Sequence, residues 1–273
     1  MIDAPGLDEA GGRHCAGGAQ ALSLTGVSLS FGAVEVLRDI SLEVKAGEFV
    51  CVIGPSGSGK TSLLKVLAGL WRPTAGEVRY GGTPITGPRQ DLAVVFQNYT
   101  KSLLSWRTAR GNVSLALEAI HYPKAERAAR ISELLDLVGL GQAIDKYPRE
   151  LSGGMQQRLQ IARCLAQNPR ALLMDEPFGA LDAMTRQKLQ DEILGLLGRS
   201  PTSTFFVTHD LEEAIYLGDR VIGLLAHPGR VGLNLEIDLP KPRSQLKTRE
   251  SEQFLNLRRQ LFDFIQRAEE DPA

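Results

Sequence analysis

The spacing of hydrophobic positions changes several times along the chain. Residues 21–49, ALSLTGVSLSFGAVEVLRDISLEVKAGEF, alternate apolar and polar in short segments broken by glycine. That pattern predicts an antiparallel sheet, with ordered sequence starting near Leu22. FVCVI (49–53) is a continuous apolar run and predicts a central strand buried on both faces. SLLKVLAGL follows at helical spacing, and WRPTAGEVRYGGTPI returns to hairpin chemistry, with Pro and Gly as punctuation. After LAVVFQ (92–97) the texture changes, and residues 98–170 read mostly as helices. Within them, AERAARISELLDLVGL puts Ile131, Leu134, Leu135 and Val138 on one face.

From Arg170 the pattern alternates again: ALLMD, a helix from about Met184, TFFVTHD, a further helix, then RVIGLLA. Strands alternating with helices predict a parallel sheet. From about Arg249, Phe254, Leu257, Leu261, Phe264 and Ile265 recur at helical spacing. This predicts a helix that packs on its own domain; the sharper alternative is a regulatory or partner contact.

Composition narrows the class. The 273 residues are 43% apolar and 23% charged with net charge −1, ordinary for a globular protein and unlike a wholesale nucleic-acid binder. No apolar run approaches the roughly 18 residues that span a bilayer. The Gly/Ala-rich stretch 1–20 lacks the pattern of a signal peptide and reads as a disordered tail. Cys15, Cys51 and Cys164 form no CxxC pair, which fits a reducing compartment, and Cys51 lies inside an apolar strand as inert core.

Candidate chemistry centres on GPSGSGKT (54–61), where Gly54, Gly59, Lys60 and Thr61 satisfy G-x-x-x-x-G-K-[ST] between a strand and a helix. Glycines let backbone amides curl around phosphates, and the helix start adds partial positive charge. In such a loop Lys60 reaches the β- and γ-phosphates and Thr61 gives its hydroxyl to Mg²⁺. RALLMDEP (170–177) is an apolar strand ending in two carboxylates. Asp175 would complete the Mg²⁺ site through water, and Glu176 could act as general base on an attacking water. Gln97 closes another apolar strand and could bridge a metal-bound water. His209, where FFVTHDLEEA passes from strand to helix, could face a γ-phosphate, with Thr208 or Asp210 capping the helix. About ninety residues after the first loop, LSGGMQQR (151–158) has the grammar of a second phosphate-reading helix start.

Together these pieces resemble the ATP-binding subunit of ABC transporters, from about Leu22 to about Leu239. GPSGSGKT matches the Walker A loop, Gln97 the Q-loop, LSGGMQQR the signature and LLMDE Walker B. Ala180-Leu181-Asp182 matches the D-loop, His209 the switch histidine, and Phe31 the aromatic that stacks on adenine. The resemblance implies an α/β fold. A P-loop NTPase core, mostly parallel sheet flanked by helices, carries an antiparallel β subdomain and an inserted α-helical subdomain at about 98–168. The ATPase domain would span 21–240, with a C-terminal helical extension at 241–273. It further implies ATP held by Phe31, Gly54, Pro55, Ser56, Gly57, Ser58, Gly59, Lys60, Thr61 and Ser62, and Mg²⁺ at Thr61, Gln97 and Asp175. Glu176, His209 and Gln97 would be catalytic. Ser152, Gly153, Gly154 and Asp182 would contact the ATP of a second subunit in a head-to-tail homodimer.

Within the family the chain is similar to bacterial importer ATPases for nitrate, sulfonate, taurine and related compounds, on its length, FGALDAMTR, and LLAHPGRV (224–231). Such a subunit works at the cytoplasmic face of the membrane with two transmembrane permease subunits and an extracytoplasmic solute-binding protein, and without nucleic acid. Fewer than about forty residues follow Leu235, too few for an added regulatory domain. Two departures stand out: Met155 replaces the usual signature Gln, and Leu104-Ser105-Trp106 lacks the usual Pro before Trp. Importers of thiamine-precursor pyrimidines or amino acids, and non-transport ABC ATPases, are the alternatives. The N-K-x-D motif of a GTPase is missing, and a small-molecule kinase leaves LSGGMQQR unexplained.

Overall fold

The computed structural model describes residues 20–98, 102–198 and 201–270. The predicted tail and Cys15 lie outside the described residues, as do residues 99–101 after Gln97. Gln20 itself opens the first strand, a little earlier than the alternation indicated.

β1 (Gln20–Phe31) and β2 (Val34–Lys45) form a long antiparallel hairpin. β4 (Ala75–Tyr80) adds on the other side of β1, and β5 (Thr83–Pro84) completes a four-stranded sheet in the order β2-β1-β4-β5. The second sheet is built on β3 (Phe49–Ile53). It adds β6 (Leu92–Val95), β7 (Ala171–Asp175), β8 (Ser203–Val207), β9 (Arg220–Leu225) and β10 (Arg230–Glu236). Its order is β10-β9-β3-β8-β7-β6, parallel throughout except for the antiparallel edge strand β10.

All five residues of β3 are buried because each face meets a different layer. Phe49, Cys51 and Ile53 join a core shared with the helices, whereas Val50 and Val52 join a core shared with the antiparallel sheet. β7 and β8 divide in the same way: Leu172, Met174 and Phe206 on one face, Leu173, Phe205 and Val207 on the other. A period of two with apolar residues on both phases is what a strand between two layers requires. Cys51 is fully buried and its thiol is pushed well up by that burial, so it is an apolar filler.

α1 (Lys60–Leu67) follows β3 directly. Between β6 and β7 lie α2 (Ala109–Ala119), α3 (Arg127–Leu137) and α4 (Gly153–Ala166), which pack on one another. Asn112, fully buried on α2, bonds to the backbone of Leu104, Arg107 and Thr108 and so shapes the turn before its helix. That turn leaves Trp106 72% exposed. α5 (Ala183–Leu197) follows β7, and α6 (Leu211–Leu217) joins β8 to β9.

The described residues end in α7 (Lys247–Glu250) and α8 (Glu252–Glu270). Phe254, Leu257, Leu261 and Phe264 of α8 are buried on α6 and β9, so this helix packs on its own domain. Gly223 of β9 makes room for it: a Cβ there would lie 2.4 Å from the Phe264 ring. Arg249 and Arg258 both pair with Glu212 of α6, each at 2.8 Å.

Candidate functional site

β3 ends at Ile53 and α1 begins at Lys60, and the intervening loop turns on backbone conformations open to glycine. Gly59 caps α1 at φ +82° with no side-chain hydrogen bond to the first turn. The leading amides of α1 therefore have no capping acceptor and face outward, the basis of anion binding at a helix start. A Cβ on Gly59 would also lie 2.6 Å from Leu37 Cδ2, so the position is closed to larger residues.

Lys60 Nζ donates to the carbonyls of Gly54 and Pro55 at 2.8 and 2.9 Å and lies 3.5 Å from Ser58 Oγ. Burial pulls its pKa below the ordinary lysine value, opposed by the charges of Glu176 and Asp175. Of the predicted loop residues, Pro55 thus enters through its carbonyl. Ser58 is fully buried, with its side chain turned toward Lys60.

A cavity of about 590 Å³ opens over the loop. It gathers Gly54, Ser56, Gly57, Gly59, Lys60, Thr61 and Ser62 with Gln97, Glu176 and His209, and adds Val36 from β2. Phe31 lies outside this lining at the end of β1. It is half-exposed and meets Trp71 edge-on with ring centroids 5.0 Å apart.

Three side chains that are far apart in sequence converge above the loop. Glu176 Oε2 accepts from Gln97 Nε2 at 3.0 Å, and Glu176 Oε1 lies 3.4 Å from His209 Nδ1. Glu176 directly follows β7 and has a left-handed backbone, φ +46°, uncommon for a residue with a Cβ. Its amide is held by the Val207 carbonyl at 2.9 Å. His209 is 70% exposed and projects from the β8–α6 turn. There Asp210 caps α6 by accepting from the Glu213 amide, and Thr208 Oγ1 accepts from the Asp210 amide.

The residues for Mg²⁺ fit that ion. Thr61 Oγ1 donates to both carboxylate oxygens of Asp175, which is only 3% exposed. Burial raises the Asp175 pKa, and the Thr61 hydrogen bond partly offsets this. A buried carboxylate beside a hydroxyl is a hard-oxygen donor pair that a cation would relieve. No group of three or more His, Cys, Asp and Glu able to hold a metal occurs among the described residues.

The second glycine-rich element is elsewhere. Ser152 caps α4, its Oγ accepting from the Met155 amide at 3.3 Å, which leaves the hydroxyl proton free for another acceptor. Ser152, Gly153 and Gly154 do not line the cavity over Lys60. Asp182 is likewise outside it, exposed, and caps α5 through the Thr185 amide. That bond chiefly lowers the Asp182 pKa.

Sequence reasoning missed two buried polar residues, Gln157 and Glu213, and the partly buried Arg186. Gln157 of α4 donates to the Glu176 carbonyl at 3.2 Å and accepts from the Ala180 amide at 3.1 Å. Glu213 lies behind His209, 4% exposed, and accepts from Thr208 Oγ1 and from Gln190 Nε2. Burial pushes its pKa up to about 7. Arg186 of α5 reaches the Leu181 carbonyl at 3.2 Å and Asp210 at 3.5 Å. The available signal was a polar residue in an apolar helical stripe: Gln157 precedes the buried Ile161 by one turn.

A Walker-type loop, a carboxylate-tipped neighbouring strand and a mixed sheet define a P-loop nucleotide-binding protein of the α/β class. Comparison narrows the class: the family model for the ABC transporter matches residues 37–179, and the chain belongs to that family. The nitrate import ATP-binding protein NrtC of Synechococcus elongatus is 46% identical over 86% of this chain and 36% of its own length. The bicarbonate transport ATP-binding protein CmpC of the same species is 46% identical over 84% of this chain and 35% of its own. The chain therefore spans about a third of the length of these relatives. Among solved structures, the dimeric ATP-binding cassette MJ0796, in a post-hydrolysis state bound to ADP and Pi, superposes with a TM-score of 0.70. It is 33% identical and covers 79% of this chain and 98% of its own. No helix among the described residues is long and apolar enough to cross a membrane.

Proposed function

We propose that this chain hydrolyses ATP as a head-to-tail homodimer and thereby powers uptake of a small inorganic or organic anion across the cytoplasmic membrane. The observation that carries the reading is the convergence of Gln97 and His209 on Glu176, directly over a phosphate loop. Glu176 accepts the proton of the attacking water, and His209 holds the γ-phosphate side of that water. Lys60 and the amides of 57–61 take the charge of the β- and γ-phosphates. Thr61, Asp175 and Gln97 would hold Mg²⁺, which supplies charge neutralisation at the phosphates. Phe31 would stack on the adenine.

Ser152, Gly153, Gly154 and Asp182 serve the nucleotide of the second copy. Their distance from their own cavity supports this, as does the dimeric state of the similar cassette MJ0796. Two permease subunits, met through the segment around the exposed Trp106, and an extracytoplasmic solute-binding protein complete the machine. The proposed boundaries are an ATPase domain at 21–240, its helical subdomain at 98–168 and a C-terminal extension from 241. The likeness to NrtC favours nitrate, and the equal likeness to CmpC makes bicarbonate the second reading. Sulfonates and taurine belong to the same anion class.

The test is transport by the intact complex. The chain, co-purified with its permease subunits and supplied with the solute-binding protein, is reconstituted in vesicles loaded with ATP and Mg²⁺. Uptake of labelled nitrate, but not of bicarbonate, taurine or alkanesulfonate, supports the first reading. Uptake of none of these anions overturns it.

A further inference from the structure

The element that would read the partner's ATP and the base that would act on this subunit's own ATP are joined by one side chain. Gln157 lies in the second turn of α4, the helix that Ser152 caps, and it is 2% exposed. Its Nε2 donates to the carbonyl of Glu176 at 3.2 Å, and its Oε1 accepts from the amide of Ala180 at 3.1 Å. Both partners belong to the turn between β7 and α5. Neither bond can be replaced by water without opening a buried site.

Glu176 needs such a hold. Its backbone is left-handed at φ +46°, a conformation that persists only where its surroundings over-determine it. The Glu176 amide is tied to Val207 and its carbonyl to Gln157 and to the Gly179 amide. A second contact runs in parallel. A Cβ on Gly154 would lie 3.0 Å from the Ala180 carbonyl oxygen and from Leu181 Cδ2, so α4 rests directly on the 180–181 backbone. Any shift of the α4 start is therefore delivered to the 176–180 turn by packing at Gly154 and by hydrogen bonds at Gln157.

We propose that Gln157 is a positioning residue for the hydrolytic base: it makes the aim of the Glu176 carboxylate depend on where the LSGG helix start sits. In the dimer, engagement of the partner's nucleotide by Ser152 and Gly153 would set α4. Gln157 would then set Glu176 in the same subunit, so that each base is aimed only when the opposite nucleotide is in place. The inference rests on Glu176 being the base and on 152–154 facing the second copy.

The experiment uses the full chain with Gln157→Met, which keeps the side-chain length and removes both hydrogen bonds. The companion Gln157→Glu, assayed at about pH 8.5 to hold its carboxyl ionised, keeps the acceptor for Ala180 and sets a carboxylate instead of a donor against the Glu176 carbonyl. ATP affinity is read with a fluorescent ATP analogue, dimerisation by size-exclusion chromatography with ATP in the Glu176→Gln background, and kcat by phosphate release. Misplacing a catalytic group by about 1 Å costs about 100-fold. The expected result is a kcat at least about tenfold lower in both variants, with affinity within about twofold and ATP-dependent dimers still formed. Turnover within about twofold of the unaltered chain overturns the inference. So does parallel loss of affinity, dimerisation and kcat, which a general disturbance of α4 gives. If Gln157→Met does not fold, Gln157→Glu decides on the same criteria. Glu176→Gln in the unaltered chain is the control. Retained turnover there sinks the base assignment itself, whereas lost turnover there beside normal turnover in the Gln157 variants sinks only this inference.

Discussion

Thr61 donates its hydroxyl to both oxygens of Asp175, at 2.9 and 3.2 Å, across 114 positions of sequence. The first turn of α1 and the end of β7 are locked in register by that contact. Two oxygen donors of the kind a hard cation takes therefore stand side by side. Lys60 and Glu176, each one residue away from this pair, both line the cavity over the loop.

Lys60 is held by two loop carbonyls, and a nucleotide must draw its ammonium away from them. Lys60→Ala removes a charge-assisted contact worth about 1.5–3 kcal/mol. ATP affinity should fall by about 10- to 150-fold in a fluorescence titration, while the loop glycines keep the fold intact. Undiminished affinity contradicts the assignment of the loop.

Glu176→Gln retains a side chain that can meet His209 and Gln97 but cannot take a proton. Hydrolysis should fall by about 10²–10⁴-fold. ATP binding should persist, and an ATP-dependent dimer should accumulate on size-exclusion chromatography. Turnover at the unaltered rate means that another group is the base.

Ser152→Arg places a long cation where a hydroxyl caps α4. Loss of the cap should cost about 1 kcal/mol and lower the melting temperature slightly. The isolated chain should still bind ATP through Lys60, yet the Ser152→Arg/Glu176→Gln double variant should stay monomeric with ATP. Normal dimerisation in that variant removes the case for a shared site.

Glu213 predicts a pH dependence with a definite sign. Burial pushes its pKa up to about 7 in the folded chain, from an ordinary value near 4.5. The folded state therefore binds the extra proton between these values, and stability from this group is full below about 4.5 and is lost as pH rises through about 7. Glu213→Gln cannot titrate, so its stability should lose less than that of the unaltered chain between pH 5 and 7.5. The difference, read from urea midpoints at each pH, should reach up to about 3 kcal/mol. Parallel curves for the two proteins would show that Glu213 is not protonated on folding.

The sequence by itself determined the layers and the phosphate loop. FVCVI, a short apolar run rich in β-branched residues ahead of a glycine loop, reads as a strand buried on both faces, and the Gly-x-x-x-x-Gly-Lys-Thr spacing needs no distant partner, because its conformation is set by glycines acting locally. The helical stretch between β6 and β7, and the stripe Phe254, Leu257, Leu261, Phe264, were legible for the same reason: period and side-chain type are local properties. That the sheet has an antiparallel edge in β10 was not, because register and direction at an edge depend on which strand is reached last. Nor was the bracing of the site. Gln157, Arg186 and Glu213 act on backbone groups or side chains from 5 to 24 positions away, and even the apolar stripe that turns Gln157 inward does not name its partners. Only the packed structure, in which a buried polar group must find its partner, decides which glutamine holds the turn that carries Glu176.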